Sequence, residues 1–188
     1  ELLNSEGLSV IILRSSDIRI PYSCFARILD NAAIASGDPL FGLKLSLRQG
    51  QSITGPLGLL AAQCSSFSES LNMLKKYVHF HAQGLQFDLQ TDGKTARFIM
   101  SWAPSIAFQG ALIELAELSL GLCSLIFKEL SPEKPQALHV LFKHLPQALL
   151  SEYSTLFGCP VKFEQQEYGF EFPSYFLTKK PKPASEEV

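Results

Sequence analysis

Glu114 and Glu117 stand three residues apart in a largely apolar stretch. On a helix that spacing puts two carboxylates on one face, where they could meet as an acid pair. The plainer reading makes both part of the solvated stripe of a buried helix. Glu114 is the more closely ringed by apolar residues, so it could receive a cationic group from a ligand or cap a buried donor. His79 and His81 are two apart near a helix end. Metal-binding pairs on a helix need a spacing of three or four, so these two do not converge. His139 falls on the outer face of a strand. His144 falls in a strand-to-helix turn, where an imidazole often holds backbone in place. Cys24, Cys64, Cys123 and Cys159 form no CxxC. Three of them sit inside apolar helical patterns and read as small hydrophobes, and the set fits a reduced, cytoplasmic compartment. The chain has no GxGxxG, Walker loop, GxSxG or HExxH. The residues therefore name no catalytic group, no metal and no cofactor, and the expectation is a protein that is not an enzyme. A small hydrolase or isomerase would need Glu114 to meet His79, His81 or His144 in one cleft.

The elements that must position these groups follow from apolar periodicity. The first 13 residues read as a short helix, a turn at Gly7 and a brief extended piece. Ile20-Pro21 opens a helix over about 22–36, with Phe25, Ile28, Leu29, Ala32 and Ala33 at helical spacing and Gly37 as its stop. Asp38-Pro39 offers an N-cap and first-turn pair for a short second helix. Another short helix runs from Thr54 to about Cys64. Ser66 and Glu69 have capping-box spacing and lead into a helix over about 67–82, ended by Gly84. The period then changes to two. Leu85, Phe87 and Leu89 alternate with polar residues, Asp92-Gly93 marks a hairpin, and Ala96, Phe98, Met100 and Trp102 share a face of the return strand.

A long helix over about 107–130 follows, apolar over most of its circumference. Glu114, Glu117, Gly121, Ser124 and Lys128 form its narrow polar stripe, so it must be packed on at least two sides. Residues 137–143 alternate again, a helix spans about 146–157, and the stretches 161–164 and 170–172 read as a closing pair of strands. Helices first, then β-β-α-β-α-β-β, gives an α+β fold: an N-terminal helical part (1–83), then a mostly antiparallel sheet covered by long helices (84–177). Residues 178–188 read as a linker.

The chain has 188 residues, 46% hydrophobic and 18% charged, with fourteen Phe against one Trp. That is enough for one domain with a sizeable core. The net charge of −2 gives no basic face for direct nucleic-acid binding. The only dense basic run, Lys179-Lys180-Pro181-Lys182, lies in the Pro-rich tail and reads as solvated. Acidic and polar breaks in the long helix exclude a membrane span. The chain starts at Glu1, not Met, and both ends look like cuts in a longer protein.

What remains is an apolar excess. Phe87, Phe98, Met100, Trp102 and Phe142 come from the strands; Phe108, Leu112, Glu114 and Leu115 come from the long helix. Each apolar member reads first as core. The sharper reading is that part of this layer lines a cavity between sheet and helix, since small-molecule pockets are mostly apolar with a few placed polar groups.

The order of several phrases carries a resemblance. Ile20-Pro21, Gly37-Asp38-Pro39-Leu40-Phe41-Gly42-Leu43, Gly55-Pro56-Leu57-Gly58, Glu114-Leu115-Ala116, Phe142-Lys143-His144 and Phe157-Gly158-Cys159-Pro160-Val161-Lys162-Phe163 are among them. Over about 15–183 the chain resembles the "arabinose-binding-like" N-terminal domain of a branch of the AraC/XylS regulators, which includes ornithine-responsive and virulence regulators. The resemblance implies a cytoplasmic sensor and dimerisation domain. DNA would be bound only through a C-terminal helix-turn-helix domain absent from this chain. It does not imply a cupin barrel or arabinose as ligand. The Phe-rich layer favours an amphipathic effector, such as a fatty acid or aromatic acid, over a sugar. A homodimer without a ligand, serving as scaffold around a closed core, is the alternative.

Overall fold

The computed structural model describes residues 2–14, 18–49, 56–102, 112–131 and 138–182. Among these residues six α-helices and five strands follow in the order that the sequence pattern implies: α1 (Tyr22–Ser36), α2 (Phe41–Gln49), α3 (Pro56–Ala62), α4 (Phe67–His81), β1 (Leu85–Asp92), β2 (Thr95–Trp102), α5 (Ile113–Leu130), β3 (His139–Leu141), α6 (Leu150–Phe157), β4 (Val161–Lys162) and β5 (Tyr168–Pro173).

Local chemistry sets these boundaries. The Ser66 hydroxyl accepts from the Glu69 amide at 3.2 Å and caps α4. The Glu69 carboxylate reaches one residue further back than a capping box requires. It accepts from the Ser65 amide (2.8 Å) and hydroxyl (2.6 Å). Asp38 accepts from the Leu40 amide through its side chain and from the Phe41 amide through its carbonyl, so α2 starts at Phe41, after a turn. The N-terminal stretch differs from expectation. Val10–Arg14 is a 3-10 helix, not extended, and Asn4–Glu6 is another. The bidentate Arg27–Glu6 pair, at 2.5–3.0 Å, fastens this stretch to α1.

The sheet order is β1-β2-β5-β3-β4. Every pairing is antiparallel except β3 with β4. The last two strands do not pair with each other as expected. β5 inserts between β2 and β3, where its buried Phe170 and Phe172 complete the central core, while β4 takes the edge. The hairpin turn is Gly93-Lys94, with Asp92 opposite Thr95 and Gly93 at φ +57°. The polar face of the sheet is held by Glu171, which accepts from Arg97 (3.0 Å) and Lys162 (2.7 Å). The other face carries Ala96, Phe98, Met100, Val140 and Phe142, all buried under α4, α5 and α6.

The polar stripe of α5 is not solvated. Glu114, Glu117, Gly121 and Ser124 are buried, Glu117 completely. The reason is a second packing layer. α2 lies along α5 so closely that a Cβ on Gly42 would stand 2.3 Å from the Glu114 carbonyl, and one on Gly121 1.9 Å from the Ser46 hydroxyl. α5 is thus sandwiched between α2 and the sheet, and its polar positions face protein. No helix among the described residues is long and apolar enough to cross a membrane.

The tail continues onto the body of the domain. Ser174–Thr178 forms a 3-10 turn with Phe176 buried. Lys179 then accepts from the Phe67 amide (2.7 Å), and the Lys182 amide donates to Leu130 (3.3 Å).

Candidate functional site

A cavity of about 870 Å³ opens where the helical part meets the hairpin. Its walls come from four directions. The segment Arg19–Tyr22 and the first turns of α1 form one rim. Leu74 and Val78 of α4 form a second wall. Leu85, Phe87 and Phe98 of the hairpin form the floor, and α5 closes the back from Leu115 to Phe127. Each wall is the apolar face that helical or strand periodicity produces.

Few polar groups interrupt this surface. Burial raises the Tyr22 phenol above its ordinary range, and hydrogen bonding with Trp102 and Ser119 partly offsets that. The Trp102 Nε1 is itself buried and makes no hydrogen bond of ordinary geometry, although the Tyr22 hydroxyl is near. Cys123 borders the cavity. Its burial pushes the thiol up to about 12, which keeps it protonated and unreactive at neutral pH.

Of the nine sequence-derived candidates, Phe87, Phe98 and Leu115 border this cavity. Met100 is buried in the core beside it, and Trp102 touches it only through Tyr22. Leu112 packs in a separate apolar cluster with α1 and α2. Phe142 lies at the far end of the sheet, stacked on Phe163 at 5.2 Å. Phe108 falls outside the described residues. Sequence reasoning missed the α1 and α4 walls. Leu71, Leu74 and Val78 stand at helical spacing in the sequence, but a helix face reads the same toward a hollow as toward solid core.

Glu114 turns away from the cavity to the α2–α5 seam, where it accepts from the Gly42 amide at 2.7 Å. It thus caps a buried donor. Burial pushes its carboxyl up to about 7, the Gly42 bond pulling the other way and the negative charges of Glu117, Asp30 and Asp38 adding to the rise. At this group the folded chain therefore binds more proton than the unfolded chain between about pH 4.5 and 7. This group's favourable contribution is complete below 4.5 and is lost as pH rises through 7. Glu114→Gln keeps an acceptor for Gly42 and removes the charge. It is expected to stabilise the domain at pH 8 relative to the parent and to lose that advantage toward pH 5, measured by urea denaturation at each pH. A difference independent of pH would contradict the assignment.

Glu117 faces α6. It accepts from the Tyr153 hydroxyl at 2.5 Å and lies 3.4 Å from His144 Nε2, while His144 Nδ1 is 3.4 Å from the Tyr168 hydroxyl. So His144 meets Glu117, not Glu114. Glu117 and Tyr153 are fully buried and His144 and Tyr168 partly so, and none of the four borders the cavity. His79 lies against Phe80 on α4. The His81 side chain is outside the described residues. The Glu117–Tyr153 bond ties α5 to α6.

Comparison with known proteins fits this architecture. Residues 1–180 match the family model described as the arabinose-binding domain of AraC transcription regulators, N-terminal. The HTH-type transcriptional regulator VirS of Mycobacterium tuberculosis is 27% identical over 149 residues, which is 78% of this chain and 43% of that protein. The ornithine utilization regulator of Pseudomonas aeruginosa is 25% identical over 168 residues, 89% of this chain and 49% of that protein. The crystal structure of the transcriptional regulator CdpR from P. aeruginosa superposes over 96% of this chain and 56% of its own, with a TM-score of 0.65 at 19% identity, and so shares the fold. The chain spans about half the length of the curated relatives it matches. These relatives are transcription regulators, not enzymes. By the extent of its family match, this chain belongs to the arabinose-binding N-terminal domains of AraC transcription regulators.

Proposed function

We propose that residues 1–177 are the effector-sensing and homodimerising part of a cytoplasmic transcription regulator, with a small amphipathic molecule bound in the cavity between hairpin, α1, α4 and α5. DNA contact would belong to a further domain, reached through residues 178–188. One observation carries the reading: an apolar hollow of about 870 Å³ at the junction of the two halves. Effector pockets commonly have volumes of about 300–1,000 Å³, with apolar walls and few polar groups. A solid-cored scaffold would have no such space. Occupancy acts by population shift. A molecule that binds better when α1, α4 and α5 are held in one arrangement favours that arrangement by its differential affinity. Homodimerisation draws support from Leu145, Leu149 and Leu150, which stand exposed around the start of α6.

Filling the hollow tests the reading. Val78→Phe places added atoms in open space if the cavity is real. It should cost under about 1 kcal/mol, where overpacking a solid core costs about 1–3 kcal/mol. The same variant should abolish the thermal stabilisation that medium-chain amphiphiles give the parent. A parent whose melting temperature responds to no lipid or aromatic acid would refute the sensor reading. A domain that sediments as a monomer would refute homodimerisation while leaving the pocket intact.

A further inference from the structure

The cavity is chemically lopsided. Among the described residues that border it there is no Asp, Glu, Lys or His, and one full charge, the guanidinium of Arg19. Arg19 is exposed at the rim, two residues before Pro21 turns the chain into α1. Among the described residues it makes no ion pair, whereas Arg27 is held by Glu6 and Arg97 by Glu171. Its side chain is therefore available to a guest. The other polar groups among the described residues of the lining are neutral, such as the Tyr22 hydroxyl and Ser119, and they share it with the rings of Phe87 and Phe98 and with Leu118 and Leu122.

A cation at the mouth of an apolar hollow discriminates by charge. A carboxylate matches the planar fork of a guanidinium in two parallel hydrogen bonds. A neutral head gains no such pair, and an ammonium head is repelled. The apolar body is desolvated by the walls whatever the head. The geometry points to a monoanionic amphiphile as the ligand: a single carboxylate seated on Arg19 with an aliphatic or aromatic body in the hollow. This assignment rests on the cavity being the effector site.

The experiment reads Trp102, the only tryptophan in the chain, which touches the cavity wall through Tyr22. Its fluorescence, and displacement of the neutral dye N-phenyl-1-naphthylamine, are followed during titration with decanoate, decanol, decylammonium and naphthaleneacetate at pH 7.5. Decanoate is expected to bind about tenfold tighter than decanol, the low end for a hydrogen bond to a charged partner because Arg19 is solvated. That margin should shrink at high salt. Arg19→Gln should erase it by weakening decanoate alone, Arg19→Lys should keep part of it, and Arg19→Glu should turn the preference toward decylammonium. An Arg19-dependent gain for naphthaleneacetate supports the assignment with a ring as the body; a gain for decanoate supports it with a chain. Equal binding of decanoate and decanol to the parent, or an unchanged ratio in Arg19→Gln, overturns the charge assignment and leaves the cavity reading standing. Failure of the dye and of every amphiphile to bind overturns both.

Discussion

Phe127→Ala is expected to remove about 3–5 kcal/mol of unfolding free energy, the usual cost of deleting a fully buried ring. Phe127 is stacked on Phe170 at 4.4 Å. It also meets Phe98, Phe67 and Phe172 at centroid distances of 5.5, 5.7 and 5.9 Å. Those four rings belong to β5, β2, α4 and again β5, so one side chain joins α5 to three other elements of the core. Its loss leaves a hole that rigid neighbours cannot close. One edge of the ring borders the cavity, which places the expected cost toward the lower end of that range. Domains of this size have about 5–15 kcal/mol in all, and the melting temperature should fall by roughly 10 °C. Urea denaturation of parent and variant gives the number. A loss below about 1 kcal/mol would mean that the aromatic cluster is not the centre of the core.

Gly42→Ala should also destabilise, by about 2–3 kcal/mol, against the direction that helix propensity alone would give. The new methyl would stand 2.3 Å from the backbone carbonyl oxygen of Glu114 and about as close as 3.0 Å to its carboxylate. Backbone cannot swing aside as a side chain can, so α2 must lift from α5 and stretch the Gly42–Glu114 hydrogen bond. Gly121→Ala is the informative companion. Its methyl would meet the Ser46 side chain. Combining it with Ser46→Gly should recover much of the loss, a coupling expected only for residues in contact. Calorimetric melting of the four proteins is the measurement. A Gly42→Ala protein that melts at or above the parent temperature would show that the seam is looser than described.

These two sites also mark what the sequence could convey. The hairpin was legible because period-two alternation and Asp92-Gly93 agree, and nothing else satisfies both. The α5 stripe was legible as a pattern and misread as wet. Spacing of three and four locates a face but does not say whether water or another helix covers it. Gly121 was the unused signal: a glycine within that stripe fits close approach of a second backbone better than it fits solvent. The hollow was legible in half. Phe87, Phe98 and Leu115 came from elements whose inward faces are explicit in the sequence. The walls from α1 and α4 depend on how those helices are placed in space against the hairpin and α5, and no local pattern encodes that placement. Arg19 had no periodicity at all. Its meaning is that no acid stands among the described residues that border the hollow.

The pair of hydrogen bonds at the tail has a mechanical consequence. Lys179 is stapled to the first residue of α4 and Lys182 to the last residue of α5, and the middles of those same helices flank the hollow. If the two rods spread or close, the short bridge of residues 179–182 must follow or snap at one of its rivets. The Lys182 amide is therefore a strain gauge for the interior, and its deuterium uptake would register any change in the gap between the rods.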